Sequence, residues 1–184
     1  VVASAAPGEG GLHRMRQSDE VIQRYLDAAR EADAILILDI QPGQADFLTE
    51  AKALEKYLRE PDVSLALDPE WRMAKGQLPG KVIGSVDARE INRVSMWLSQ
   101  LSAANKLPDK LLIIHQFTDG MIRDRQRLRP RPGLDIVLNA NGFGSPELKT
   151  ATYTRVTRGR GSLYTGFKLF YTEDTSDGSP LMTP

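Results

Sequence analysis

Six short apolar runs, each ending in polar residues and followed by a loop and a helical pattern, constrain this chain more than any other feature. They are Val1–Ala6, Ala34–Ile40, Val63–Leu67, Leu111–Ile114, Ile136–Leu138 and Phe167–Tyr171. The clearest, Ala34-Ile35-Leu36-Ile37-Leu38-Asp39-Ile40, is near-continuous rather than alternating. That is how a parallel strand buried on both faces reads. Between the runs lie segments with helix start signals. Ser18 precedes Val21, Ile22, Tyr25, Leu26 and Ala29 at helical spacing, and Asp46 precedes the stripe Phe47, Ala51, Leu54 and Leu58. Asp87 and Glu90 have capping-box spacing, and Ser145-Pro146 pairs an N-cap with proline at the first helical position. A shorter helix is expected over Asp119–Leu128. Alternating strands and helices imply an α/β fold with a parallel sheet and right-handed crossovers.

Two parallel architectures compete. A doubly wound sheet binding a dinucleotide wants G-x-G-x-x-G after a strand. Gly8-Glu9-Gly10-Gly11 does not fit that pattern, and no P-loop is present. A barrel instead places functional residues at the carboxyl ends of several strands, which is the pattern here. The expectation is a partial (β/α)8 TIM-type barrel of about six βα units, forming a single domain over residues 1–184 and truncated at both ends. The chain opens inside a strand-like run and closes on Met182-Thr183-Pro184, which reads as the start of a helix. Two βα units before Val1 and a helix after Pro184 would complete the barrel.

Composition excludes several classes. Lys plus Arg equal Asp plus Glu at 24 each, so the formal net charge is zero, which argues against a dedicated nucleic-acid partner. The basic run Arg123, Arg125, Arg127, Arg129 and Arg131 reads as a solvated helix end and loop. With no cysteine there is no disulfide or thiolate metal site. No apolar run is long enough for a membrane span.

Residues two apart share one face of a strand. Asp39 and Gln41 therefore share a face, as do Asp68 and Glu70 if the strand continues past Pro69. His115-Gln116-Phe117 ends the next strand, Asn139-Ala140-Asn141-Gly142 another, and Lys168, Phe170 and Tyr171 belong to the last. Carboxylates gathered in one partly desolvated pocket push each other's pKa values apart, so one stays protonated while another stays ionised. Glycoside cleavage needs such a pair. Asp39, Asp68 and Glu70 are the catalytic candidates, with Glu70 as acid and Asp39 or Asp68 as base or nucleophile. Gln41, Trp71, His115, Gln116, Asn139, Asn141, Lys168 and Tyr171 are the substrate-binding candidates, with Trp71, Phe117, Phe143 and Tyr171 as stacking surface. The bland readings are a loop cap for Asp39, a rigid turn at Pro69-Glu70-Trp71, and ordinary turn signals at Asn139 and Asn141.

No metal ligand set or cofactor is assigned. A hard divalent cation held by oxygen ligands such as Asp39, Asp68, Glu70 and Asn141 stays open, and with it a metal-dependent hydrolase. The third reading is a non-catalytic cell-surface carbohydrate-binding or scaffolding barrel. A serine hydrolase is disfavoured because G-x-S-x-G is absent.

The ordered set Leu38–Gly43, Ala66–Trp71, His115–Thr118, Asn141–Gly144 and Gly166–Tyr171 resembles a family of uncharacterised bacterial proteins. They are frequent in actinobacteria and often exported or described as lipoproteins. The resemblance runs from Val1 to Pro184. It implies a glycosidase-like barrel fold and an exported, cell-envelope or extracellular location, and carries no assigned catalytic residue. The expected function is a cell-envelope hydrolase acting on a carbohydrate or another small polar substrate.

Overall fold

The computed structural model describes residues 1–6 and 11–183. Most of the glycine-rich segment after the first apolar run, and the Pro184 end of the expected C-terminal helix start, lie outside these residues. The strands are β1 (Ala3–Ser4), β2 (Met15–Arg16), β3 (Leu36–Ile40), β4 (Val63–Leu67), β5 (Val86–Asp87), β6 (Lys110–Gln116), β7 (Ile122–Arg123), β8 (Leu134–Ala140) and β9 (Tyr164–Phe167). The helices are α1 (Asp19–Glu31), α2 (Phe47–Ala53), α3 (Glu55–Leu58), α4 (Ala88–Ala104) and α5 (Pro146–Thr157).

The α/β class holds, but the barrel does not. The main sheet is open and seven-stranded, in the order β2-β1-β3-β4-β6-β8-β9. Six strands run parallel, and β2 turns back antiparallel on β1. That hairpin is the physical reason for the correction. β2 occupies the outer edge of β1, the edge that would have to meet β9 for the sheet to close. Met15–Arg16 carries no strand pattern in the sequence. Nor do β5 and β7, which pair with each other in a separate two-stranded sheet.

Spatially consecutive parallel strands joined by right-handed crossovers put their helices on one side. On that side Leu38, Ile40, Leu65, Leu67, Leu112, Ile114 and Leu138 are fully buried in one cluster with Ile22, Leu26, Phe47, Ala51, Ile91, Val94 and Leu98 of the helices. Full burial of each Leu, Ile, Val or Phe side chain among them stabilises by about 1.5–3 kcal/mol. On the opposite face Ile37, Ile113 and Val137 are half-buried, and Ile35 is exposed. The near-continuous apolar runs therefore face a helix layer on one side and a half-open surface on the other.

The predicted caps form. Ser18 accepts from the Val21 amide, Asp46 from Thr49, Asp87 from Arg89 and Ser145 from Leu148. Glu90 departs from its capping-box role. Its carboxylate accepts from the Phe47 amide at 2.9 Å and from Arg72 Nε at 3.0 Å, tying α4 to α2 and to the loop after β4. The helix expected over Asp119–Leu128 is replaced by two 3-10 turns flanking β7. Asp124, between β7 and the second turn, has φ 55° and interrupts any helix there. The last strand is Tyr164–Phe167 rather than Phe167–Tyr171, so Lys168, Phe170 and Tyr171 follow it.

Candidate active site

The site forms where the carboxyl ends of β3, β4, β6 and β8 pass one another on the half-open face. Register decides which residues meet. Asp39 lies opposite Ala66, and Leu67 opposite Ile114, so Asp68 comes beside His115 one step further on. His115 lies opposite Asn139, and Asn139 opposite Gly166. Gln41, Asp68, His115, Asn139 and Gly166 thus make one row across five strands, and Asp39 sits one row below it.

His115 is the hub. Its Nε2 lies 3.6 Å from Asp39 Oδ2, an ion-pair distance rather than a short hydrogen bond. Its Nδ1 lies 3.0 Å from Asn139 Nδ2. An amide nitrogen only donates, so Nδ1 accepts and the neutral ring carries its proton on Nε2, toward Asp39. Asn139 comes this close because its neighbour has no side chain. A Cβ on Gly166 would stand 2.6 Å from Asn139 Oδ1.

The three carboxyl groups sit in unequal surroundings. Burial pushes Asp39 upward, but His115 and, more weakly, Lys168 overcome it, and the net result is a carboxyl held below its usual range. Asp68 is only 6% exposed. Burial, the negative charges of Asp39 and Glu70, and too little relief from His115 and Gln41 push it up to about 7. Glu70, half-buried in the 3-10 turn Pro69–Trp71, is also raised, chiefly by burial, with Lys168 and His115 opposing. At neutral pH Asp39 is ionised while Asp68 is shared between its two forms. Asp39 Oδ1, Asp68 Oδ1 and Asn141 Oδ1 are buried acceptors without a donor among the described residues. Polar atoms in that condition are unfavourable unless a ligand or water satisfies them.

Beside Glu70 lies a cavity of about 220 Å³ walled by Trp71 and Phe117, with Lys81, Val82 and Ile83 across from them. The loop carrying the latter three is brought back to the Glu70 turn by Gly84 N–H donating to Glu70 O at 2.6 Å and Ser85 N–H to Arg72 O at 3.0 Å.

The structure thus gathers Asp39, Asp68, Glu70, His115, Asn139, Asn141 and Gln41 at one end of the sheet, with Lys168 within electrostatic reach. It does not bring Gln116 there. Gln116 is buried beyond the row, donating to Thr118 O at 2.9 Å and accepting from Arg125 Nη1 at 3.0 Å, because it alternates to the face opposite His115. Tyr171 lies four residues past β9 and is 77% exposed. Gly166 is a position beside the site with no signal of its own in the sequence; only its register opposite Asn139 marks it. No group of three or more His, Asp or Glu side chains among the described residues is arranged to hold a metal ion. No helix among them is long and apolar enough to cross a membrane. No protein-family model matches the chain, and neither a curated protein nor a solved structure matches it.

Proposed function

We propose that the chain is a hydrolase acting on a carbohydrate, with Asp68 as general acid and Asp39 as the ionised partner. The observation that carries this reading is the opposite displacement of two carboxyl groups on adjacent strands, Asp39 downward and Asp68 to about 7. That is the division of labour glycoside cleavage requires. Asp68 gives its proton to the glycosidic oxygen as the C–O bond breaks. The Asp39 carboxylate either attacks the anomeric carbon or takes a proton from the water that does, so that a new C–O bond replaces the one broken, and the proton on His115 Nε2 steadies its charge. The acid role thereby moves from Glu70, the more open and less displaced group, to Asp68.

Two further features support a polyol substrate. The unpartnered oxygens of Asp39, Asp68 and Asn141 suit hydroxyl donors, and the cavity between Trp71 and Phe117 offers aromatic faces to a ring beside Glu70. The resemblance to exported actinobacterial proteins supports a place in the cell envelope.

The test is turnover of a broad panel of chromogenic glycosides and native glycans by the wild type, Asp68→Asn and Asp39→Asn. Each substitution is expected to lower kcat by 100-fold or more while leaving glycan binding intact, the scale of general acid–base catalysis. Absence of wild-type turnover across the panel, or turnover unchanged in Asp68→Asn, overturns the reading. Retained binding without turnover would leave a carbohydrate-binding surface in its place.

A further inference from the structure

The arginine run that begins in β7 does not behave as one solvated stretch. Arg125 turns inward and donates to Gln116 Oε1 and to the carbonyls of Val156, Arg155 and Arg158. Arg123 donates to Ser85 Oγ at 2.6 Å. The remaining three, Arg127, Arg129 and Arg131, line a groove of about 640 Å³ with Arg89 and Arg93 of α4. Five arginines line this one groove, in a chain whose formal net charge is zero.

Nearby acids neutralise only part of that charge. Arg89 Nε lies 3.6 Å from Asp87, and Arg127 lies 3.4 Å from Asp124. Among the described residues Arg93, Arg129 and Arg131 have no carboxylate within ion-pair distance. Like charges held this way repel one another until an anion enters.

The groove is also built rather than loosely draped. Asn92 of α4 donates to Arg127 O at 2.8 Å and accepts from the Arg129 amide at 3.0 Å. Ser99 Oγ donates to Pro132 O at 2.6 Å, and Arg131 Nε reaches Ser95 Oγ at 3.5 Å. Pro130 and Pro132 restrict the backbone of the same segment. A loop fastened at three points to a helix presents its arginines at lower entropic cost than a free loop does.

We propose that this groove binds a small multivalent oxyanion, a compound bearing two or more phosphate or sulfate groups. Guanidinium forks match such groups in bidentate geometry, and three unpaired forks call for more than one of them. The volume lies in the range of small-ligand sites rather than of an extended macromolecular track. The inference is independent of the chemistry at Asp39 and Asp68.

The test titrates inorganic tripolyphosphate into the intact chain by calorimetry at 50 mM and 150 mM NaCl. Saturable one-to-one binding is expected, weakening with salt. The double variant Arg93→Gln/Arg129→Gln is expected to weaken it at least tenfold, and Arg59→Gln, outside the groove, to leave it unchanged. Both substituted groove residues are exposed, so the melting temperature is expected to hold; Arg127→Gln provides a second single-site check. Equal binding by wild type and the double variant, or no saturable binding up to 1 mM at 50 mM NaCl, overturns the proposal. Binding to phosphatidylglycerol vesicles or to a single-stranded 20-nucleotide DNA without binding to tripolyphosphate overturns it too, in favour of a membrane or nucleic-acid surface.

Discussion

Asn139 sets which nitrogen of His115 carries the ring proton. The amide donates to Nδ1 across 3.0 Å, which leaves the ring proton on Nε2, 3.6 Å from the Asp39 carboxylate. Replacing Asn139 with aspartate substitutes an acceptor for a donor. The expected outcome is a proton drawn onto Nδ1, visible as a move of the Nδ1 ¹⁵N chemical shift from the unprotonated to the protonated range. Unchanged ring shifts in Asn139→Asp would show that Asn139 does not select the tautomer.

Gly166→Ala tests the same relay from the neighbouring strand. The added Cβ meets Asn139 Oδ1 at 2.6 Å and forces the buried amide to move. A loss of about 1–3 kcal/mol is expected, the cost of overpacking, together with a change in the His115 ring shifts as the Asn139 amide withdraws from Nδ1. Denaturant unfolding and the NMR spectrum check the two parts separately.

Asp68 makes the fold less stable as pH rises. Its folded carboxyl titrates at about 7, above the unfolded value of about 3.9. Between these values the native state holds the extra proton, so stability falls as pH climbs through that window and levels off above it. The full effect is on the order of 4 kcal/mol. Asp68→Asn removes the titration. Against wild type it is expected to gain in urea midpoint at pH 8 and to show no such gain at pH 4. A wild-type stability curve that is flat between pH 4 and 8 would contradict this.

Lys149 and Asp174 form a pair in which each side chain is only 1% exposed, with Nζ 2.9 Å from Oδ2. Lys149 also donates to Gly142 O and Lys168 O, and Asp174 accepts from the Gly144 and Phe170 amides. The pair thereby fixes the loops that follow β8 and β9. Lys149→Met leaves a buried carboxylate without its cation and is expected to cost about 3–5 kcal/mol at pH 7. Burial raises Asp174, but the amide and Lys149 hydrogen bonds win, and its carboxyl lies below the usual range. A lowered carboxyl stabilises above its unfolded value and loses that contribution as pH falls through the folded one. The gap between wild type and variant is therefore expected to narrow below about pH 4, as thermal melts at stepped pH will show.

Much of the fold was legible because parallel strands and their helices leave strong local marks. The run Val63–Leu67 forms β4 with the bounds read, the run Ala34–Ile40 forms β3 over Leu36–Ile40, and the caps at Ser18, Asp46, Asp87 and Ser145 form. Closure was not legible. It turned on β2, a two-residue strand whose pairing with Ala3 and Ser4 leaves almost no pattern of its own. The clustering of Asp39, Asp68 and His115 followed from strand ends alone. Gln116 was misplaced because the alternation at the end of β6 assigns it to the opposite face from its neighbour, and Tyr171 because β9 ends earlier than its apolar run. Gly166 needed register between β8 and β9, which no single strand carries.

The antiparallel β2 has a consequence for how this sheet grows. Its Arg16, together with Arg14, is locked onto the buried carboxylate of Glu50, so that border is short, charged and fastened to the layer beneath. Such a border resists recruiting another strand. At the other border β9 offers four residues, with Tyr164 and Phe167 both exposed. The two borders of the sheet are therefore unequal: Met15–Arg16 is charged and fastened, whereas Tyr164–Phe167 keeps two aromatic side chains exposed.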